Sequence, residues 1–314
     1  MSNSEPVLPL SSASKIASYA IAPTKPNAYH HAIELSQATH RINLLNTAAW
    51  SPSFTHQKDS RGLRILEIGC GQGTCTQVLA EAVSPNGHID AVDPAPLDYG
   101  APFTIGQAQS HLSAGPLGQL ITWHQADPLE FLSSTADAQE AENSKRWDMA
   151  ILAHCIWYFK SPTALQEILS ALKGRVKEVL IAEYALHATE KDAVPHVLAA
   201  LARAGFEAHR TASQENIQTT LSPVGIKKIA KVAGWKVQGE DVVIPEAELS
   251  DGQWEVGTVL GMEFVENVER EIRDERVKAF LGAARDAVVA AVDGVGGLEK
   301  VRTMDVWAAR LLEQ

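Results

Sequence analysis

The sequence predicts an α/β fold, a mostly parallel sheet with helices on both faces and a helical cap from N-terminal and inserted segments. Three observations carry this. Between residues 63 and 184, short apolar runs alternate with helical segments, a rhythm that implies right-handed crossovers and strands buried on both faces. The first run leads into ILEIGCGQGT at 65–74, where Gly69, Gly71 and Gly73 alternate between strand and helix. The second run, HIDAVD, ends on the carboxylate of Asp93.

Taken in order, the first dozen residues are Ser/Pro-rich and read as mobile. NAYHHAIELSQATHRINLL then reads as an amphipathic helix, with Ala28, Ala32, Leu35, Thr39 and Ile42 at helical spacing. Tyr29, His30 and His31 fall to its solvated face. SPSFTHQKDSRG is a polar linker, so residues 1–61 form a helical cap segment and 62–314 the main domain. Strands are expected at 64–68, 88–93, 120–125, 149–154 and 179–184, with helices near 76–82, 106–114 and 163–172. The acidic stretch SSTADAQEAENSKR at 133–146 reads as a surface loop. A helical insertion follows at about 186–222. Ser222 then caps a helix with Pro223 in its first turn and Gly234 at its end, and a strand succeeds it. A second helical insertion spans about 246–300, its helices at 251–295, and RTMDVWAARLL closes as a last strand.

Composition narrows the function. With 27 Lys+Arg against 38 Asp+Glu the formal charge is −11, and no basic stripe is present to meet a nucleic acid. Cys70, Cys75 and Cys155 are an odd count without C-x-x-C spacing, which fits a reducing compartment and neither a disulfide framework nor a zinc site. No H-E-x-x-H or H-x-x-x-H motif occurs, so no metal is expected. No secretory leader is read at the N-terminus, and no run approaches the ~20 apolar residues of a membrane helix. A soluble, cytoplasmic protein without membrane or nucleic-acid partners is the expectation; its oligomeric state is not in the sequence.

The glycines sharpen this. A strand entering a glycine-rich turn and then a helix presents bare backbone and a helix N-terminus to a ligand. The dinucleotide fingerprint is G-x-G-x-x-G, whereas here the third glycine comes one residue early and Thr74 takes the later place. E-x-G-x-G-x-G from Glu67 to Gly73 resembles motif I of class I S-adenosylmethionine-dependent methyltransferases of the small-molecule type. Asp93, twenty residues after Gly73, Asp127 after the third strand, and the fourth strand WDMAILAHCIWYF add to the resemblance, which covers about residues 62–245 and the last dozen. It implies a Rossmann-like sheet of seven strands, the seventh antiparallel, and S-adenosyl-L-methionine as cofactor. It further implies that Glu67 reaches the cofactor's amino group, that Asp93 holds the ribose hydroxyls and that Asp127 receives the adenine amino group. Each has a plainer alternative: an ion pair for Glu67, and helix capping for Asp93 and Asp127.

On the acceptor side, His154, Cys155, Trp157 and Tyr158 follow the fourth strand, where ligands bind in open α/β sheets. His154 is a candidate general base, since histidine titrates near neutrality, or else shapes the pocket. Trp157 and Tyr158 stack on a flat substrate or pack in the core. Cys155 is a small buried hydrophobe, and Tyr184 a further pocket wall. The expected reaction is methyl transfer by in-line displacement to an O, N, S or C nucleophile. The alternatives are an NAD-dependent oxidoreductase, or a protein of this fold that methylates proteins or nothing.

Overall fold

The computed structural model describes residues 5–23, 28–55, 62–135, 147–210, 213, 215 and 217–314. Seven strands, β1 (Arg64–Ile68), β2 (His88–Asp93), β3 (Ile121–Gln125), β4 (Met149–Ala153), β5 (Glu178–Tyr184), β6 (Trp235–Val243) and β7 (Val306–Glu313), form one sheet in the order β3-β2-β1-β4-β5-β7-β6. β1 to β5 pair in parallel. β7 enters between β5 and β6, antiparallel to both. The short expected strands hold to within one residue; the fourth stops at Ala153 and leaves His154 just outside it.

The two-residue period of the strands separates two cores. Ile65, Met149, Ile151, Leu180 and Val306 face one side, with Ile16, Ile42, Val78 and Leu79. That side carries α1 (Ala13–Ala17), α2 (Ala28–Leu45) and α4 (Thr74–Val83). Leu66, Ala150, Leu152, Val179 and Trp307 face the other, with Phe131, Leu165, Leu169 and Ile226. Those residues belong to α6 (Pro128–Ser134), α7 (Pro162–Leu172) and α9 (Pro223–Val232). Ser222 Oγ accepts from Gly225 N at 3.2 Å, and Gly234 closes α9 at φ 86°, the cap pair expected from Ser-Pro and Gly. α3 (Ser51–Thr55) and α5 (Ile105–Ala114) complete this part.

A third core belongs to the cap. α8 (Val194–Glu207) from the first insertion packs with α10 (Asp251–Leu260), α11 (Met262–Glu271) and α12 (Glu275–Val295) from the second. They share Phe206, Val256, Phe264, Leu281 and Val288. The stems of the insertions also run together. Ala185 N donates to Asp305 O at 2.8 Å, Asp305 N to His187 O at 3.0 Å and Arg302 N to Asp192 O at 2.9 Å.

Several expectations are corrected. Residues 5–12 are anchored at one point: Leu8 is buried and exchanges hydrogen bonds with Asn46. In α2 the expected apolar stripe is buried only in its second half, where Leu35 and Ile42 pack on the core. Ala28 and Ala32 are exposed, while Gln37, His40 and Arg41 are buried with Ile42. The second half of this helix lies between α4 and a cavity, so its polar side faces inward. The 51–62 linker begins as α3, and residues 56–61 lie outside the described residues. Of the acidic 133–146 stretch, the two serines end α6 and 136–146 lie outside the described residues. Among the described residues, no helix is long and apolar enough to cross a membrane.

Candidate active site

The turn after β1 holds Gly69, Gly71 and Gly73 at φ 75°, 51° and 92°, a left-handed region that favours glycine. Their surroundings differ. A Cβ on Gly69 would fall 2.4 Å from Cys155 Cβ, and one on Gly73 would fall 2.7 Å from Leu112 Cδ1. At Gly71 nothing lies within 4 Å. Two of the three glycines therefore admit neighbouring protein, and Gly71 alone leaves its backbone bare to open space. Asp93 braces that residue: its Oδ2 accepts from Gly71 N at 2.8 Å and its Oδ1 from Ala95 N at 2.9 Å. Gln109 Nε2 donates to Gly71 O at 2.8 Å from the other side.

The open space is a cavity of about 1540 Å³. Glu67 and the three glycines line it at the end of β1, and His154, Trp157, Tyr158 and Tyr184 at the ends of β4 and β5. Asp93 and Asp127 are not in its wall. Asp93 stands behind the loop that it braces. Asp127 N-caps α6, its Oδ1 accepting from Leu129 N at 2.8 Å and Glu130 N at 3.3 Å, so the structure displays its capping role.

Sequence reasoning missed the opposite wall. Asp251, Trp254, Glu255 and Thr258 of α10 line the cavity at i, i+3, i+4 and i+7, one face of a helix. Gln37 and Arg41 of α2 line it too, one helical turn apart. The spacing was readable in both helices, but not which way those faces pointed.

These side chains form one polar network. Gln37 Nε2 donates to Asp251 Oδ1 at 2.6 Å, and Tyr184 Oη to Asp251 Oδ2 at 2.8 Å. Arg41 Nη1 donates to Gln37 Oε1, while its buried Nε has no hydrogen-bond partner. Glu67 is 2% exposed and its Oε2 also lacks a partner. Burial pushes its carboxyl up to about 7, because the charged form loses its water. His154 adopts φ 54°; its Nε2 lies 3.0 Å from His40 Nε2 and its Nδ1 3.8 Å from Glu183 Oε1. Burial holds His40 well below the usual histidine range, and the charges of Arg41 and His154 lower it further. Glu183 Oε2 accepts from Ile156 N at 2.9 Å, fixing the turn that carries Trp157 and Tyr158.

A family model described as a methyltransferase domain matches residues 37–239, more than half of the chain. The protein belongs to the class I S-adenosylmethionine-dependent methyltransferases. Two curated relatives from Diaporthe leptostromiformis, methyltransferases phomM′ and phomM, are 30% and 31% identical to it. Each match spans 88% of this chain and 80% of the relative. A solved cyclopropane-fatty-acyl-phospholipid synthase-like protein from Lactobacillus casei ATCC 334 is 27% identical, with TM-score 0.79, over 96% of this chain and 99% of its own. The likeness thus extends through both insertions of the methyltransferase. Its family implies S-adenosylmethionine as cofactor, and the antiparallel seventh strand is the one the resemblance implied.

Proposed function

We propose that this methyltransferase methylates a small molecule enclosed between the glycine turn and α10. The observation that carries the reading is the cavity of about 1540 Å³. Ligand pockets of about 300–1,000 Å³ serve one drug-sized molecule, so the space suits a cofactor and an acceptor together. A net charge of −11 supports an acceptor other than nucleic acid, and the reading is of a cytoplasmic enzyme.

The residues at the β1 end fit the cofactor. Gly71 offers bare backbone, and Glu67 and Arg41 each present a buried polar atom without a partner. Together a carboxylate and a guanidinium complement the ammonium and carboxylate of an amino acid. Asp93 serves the cofactor through the loop that it braces, and Asp127, exposed and outside the cavity wall, keeps its cap of α6. S-adenosylmethionine supplies a methyl carbon made electrophilic by its sulfonium.

What remains for the protein is placement and proton handling. Trp157, Tyr158 and Tyr184 wall the acceptor side and exclude water, and alignment of reactants is worth ~7–11 kcal/mol. His154 is the proton acceptor where the nucleophile still carries one. For that role its Nδ1 must hold the lone pair, so that Nε2–H donates to His40. Protonation at Nδ1 then places a cation 3.8 Å from Glu183.

Titration calorimetry with S-adenosylhomocysteine and with NAD tests the cofactor half, with binding expected for the first alone. Mass analysis of products from candidate acceptors tests the other half. Methyl label found only on proteins would overturn the small-molecule reading.

A further inference from the structure

The wall furthest from the glycine turn has a distinct chemistry. Asp251 and Glu255 project from one face of α10 into the cavity, and like charges at i, i+4 repel. Asp251 is met only by the neutral donors Gln37 and Tyr184, with no cation in ion-pair contact among the described residues. Arg203 is already held by Glu255 and by Glu215 at 3.2 Å, and Arg210 by Glu207 and by Glu271, both at 2.7 Å. Among the described residues, Arg203 and Arg210 on this side of the cavity are thus committed to carboxylates.

Beside these carboxylates, Tyr158 and Trp254 line the same cavity while 53% and 46% exposed. Aromatic faces next to carboxylates attract cations. An independent observation adds to this. His154 lines the cavity with a side chain 7% exposed, and its Nδ1 has no hydrogen-bond partner.

We propose that the acceptor is an amine, held as its ammonium ion by Asp251 and Glu255 and flanked by Tyr158 and Trp254. The proposal rests on the small-molecule reading above. An ammonium brings only N–H donors to a wall of acceptors, which an alcohol matches in part and a carboxylate not at all. Burial and Asp251 both raise the carboxyl of Glu255, against the lowering effect of Arg203, and a bound cation relieves that strain. For transfer, the ammonium gives one proton to His154 Nδ1. The freed nitrogen lone pair then forms the N–C bond as the C–S bond breaks. The broken bond's electron pair returns to sulfur, and the positive charge ends on the methylated nitrogen.

The test uses the full chain saturated with S-adenosylhomocysteine and three probes with one skeleton: phenethylamine, 2-phenylethanol and 3-phenylpropionate. Calorimetry should give the amine at least about tenfold tighter binding than the alcohol, with the carboxylate weakest. Trp254→Leu and Glu255→Gln should each weaken the amine about tenfold, leaving the alcohol and S-adenosylhomocysteine unchanged. Equal or tighter binding of the alcohol or carboxylate, or no binding of any probe, overturns the amine proposal. Loss of S-adenosylhomocysteine binding in the wild-type protein would instead overturn the cofactor reading.

Discussion

The imidazoles of His40 and His154 meet Nε2 to Nε2 at 3.0 Å, so a single proton lies between two rings 114 residues apart in the sequence. His40 is kept neutral by burial and serves His154 as an acceptor. Replacing His154 by Ala should lower kcat by ~10²–10⁴-fold, the range for a general base, with S-adenosylhomocysteine affinity unchanged. His40→Phe should lower kcat less and also spare cofactor affinity, as expected of a positioning residue. Steady-state kinetics beside calorimetry checks both, and normal turnover in the two variants removes His154 from catalysis.

Glu67 predicts a pH dependence. Its carboxyl titrates at about 7 in the free protein, while the cofactor's ammonium needs the carboxylate. S-adenosylhomocysteine affinity should therefore fall on acidification, approaching a tenfold loss per pH unit below about 7. Glu67→Gln should flatten the profile. The stability effect has the opposite sign. A carboxyl raised from 4.5 to about 7 stabilises the fold below its ordinary value, and this contribution is lost as pH rises through 7. Calorimetric titrations and thermal melts across that range separate the two.

Arg41 is assigned to the cofactor's carboxylate. Arg41→Leu should cost ~2 kcal/mol in S-adenosylhomocysteine binding, the scale of a hydrogen bond to a charged group. Binding of methylthioadenosine, which lacks the amino-acid end, should not change. Equal losses for both ligands would show that Arg41 only shapes α2.

The glycines should part company on substitution. Gly69→Ala forces a Cβ to 2.4 Å from Cys155 and should destabilise the protein by a few kcal/mol, about 2–4, in thermal or denaturant unfolding. Gly71→Val meets open space and should cost about 1–2 kcal/mol of backbone strain, yet abolish cofactor binding. A Gly71→Val variant that binds S-adenosylhomocysteine normally would move the cofactor off this loop.

The sheet was legible because its signals are local: apolar runs of strand length, the glycine turn, and Ser222-Pro223 with Gly234 around α9. The glycine-turn end of the cavity was legible for the same reason, since Glu67 and Gly71 line it. The opposite wall was not. Gln37, His40 and Arg41 fall outside the apolar spacing of their helix, and a polar side chain is recognised as buried only through its partner. The partner of Gln37 is Asp251, 214 residues away, and that of His40 is His154, 114 residues away. His154 was placed at the strand end, but its left-handed backbone and second imidazole come from tertiary structure.

The paired stems of the two insertions fix where the cap meets the sheet. The first insertion leaves the sheet after Tyr184 and the second returns to it at Val306, and these two residues pair across β5 and β7. The helices beyond them share one core. The cap is thus one packed body, joined to the sheet where β5 and β7 pair through bonds between residues 185–192 and 302–305. Tyr184 Oη donates to Asp251 Oδ2 at 2.8 Å and Gln37 Nε2 to Asp251 Oδ1 at 2.6 Å, so one carboxylate of α10 fastens the cap both to the sheet and to the N-terminal helix.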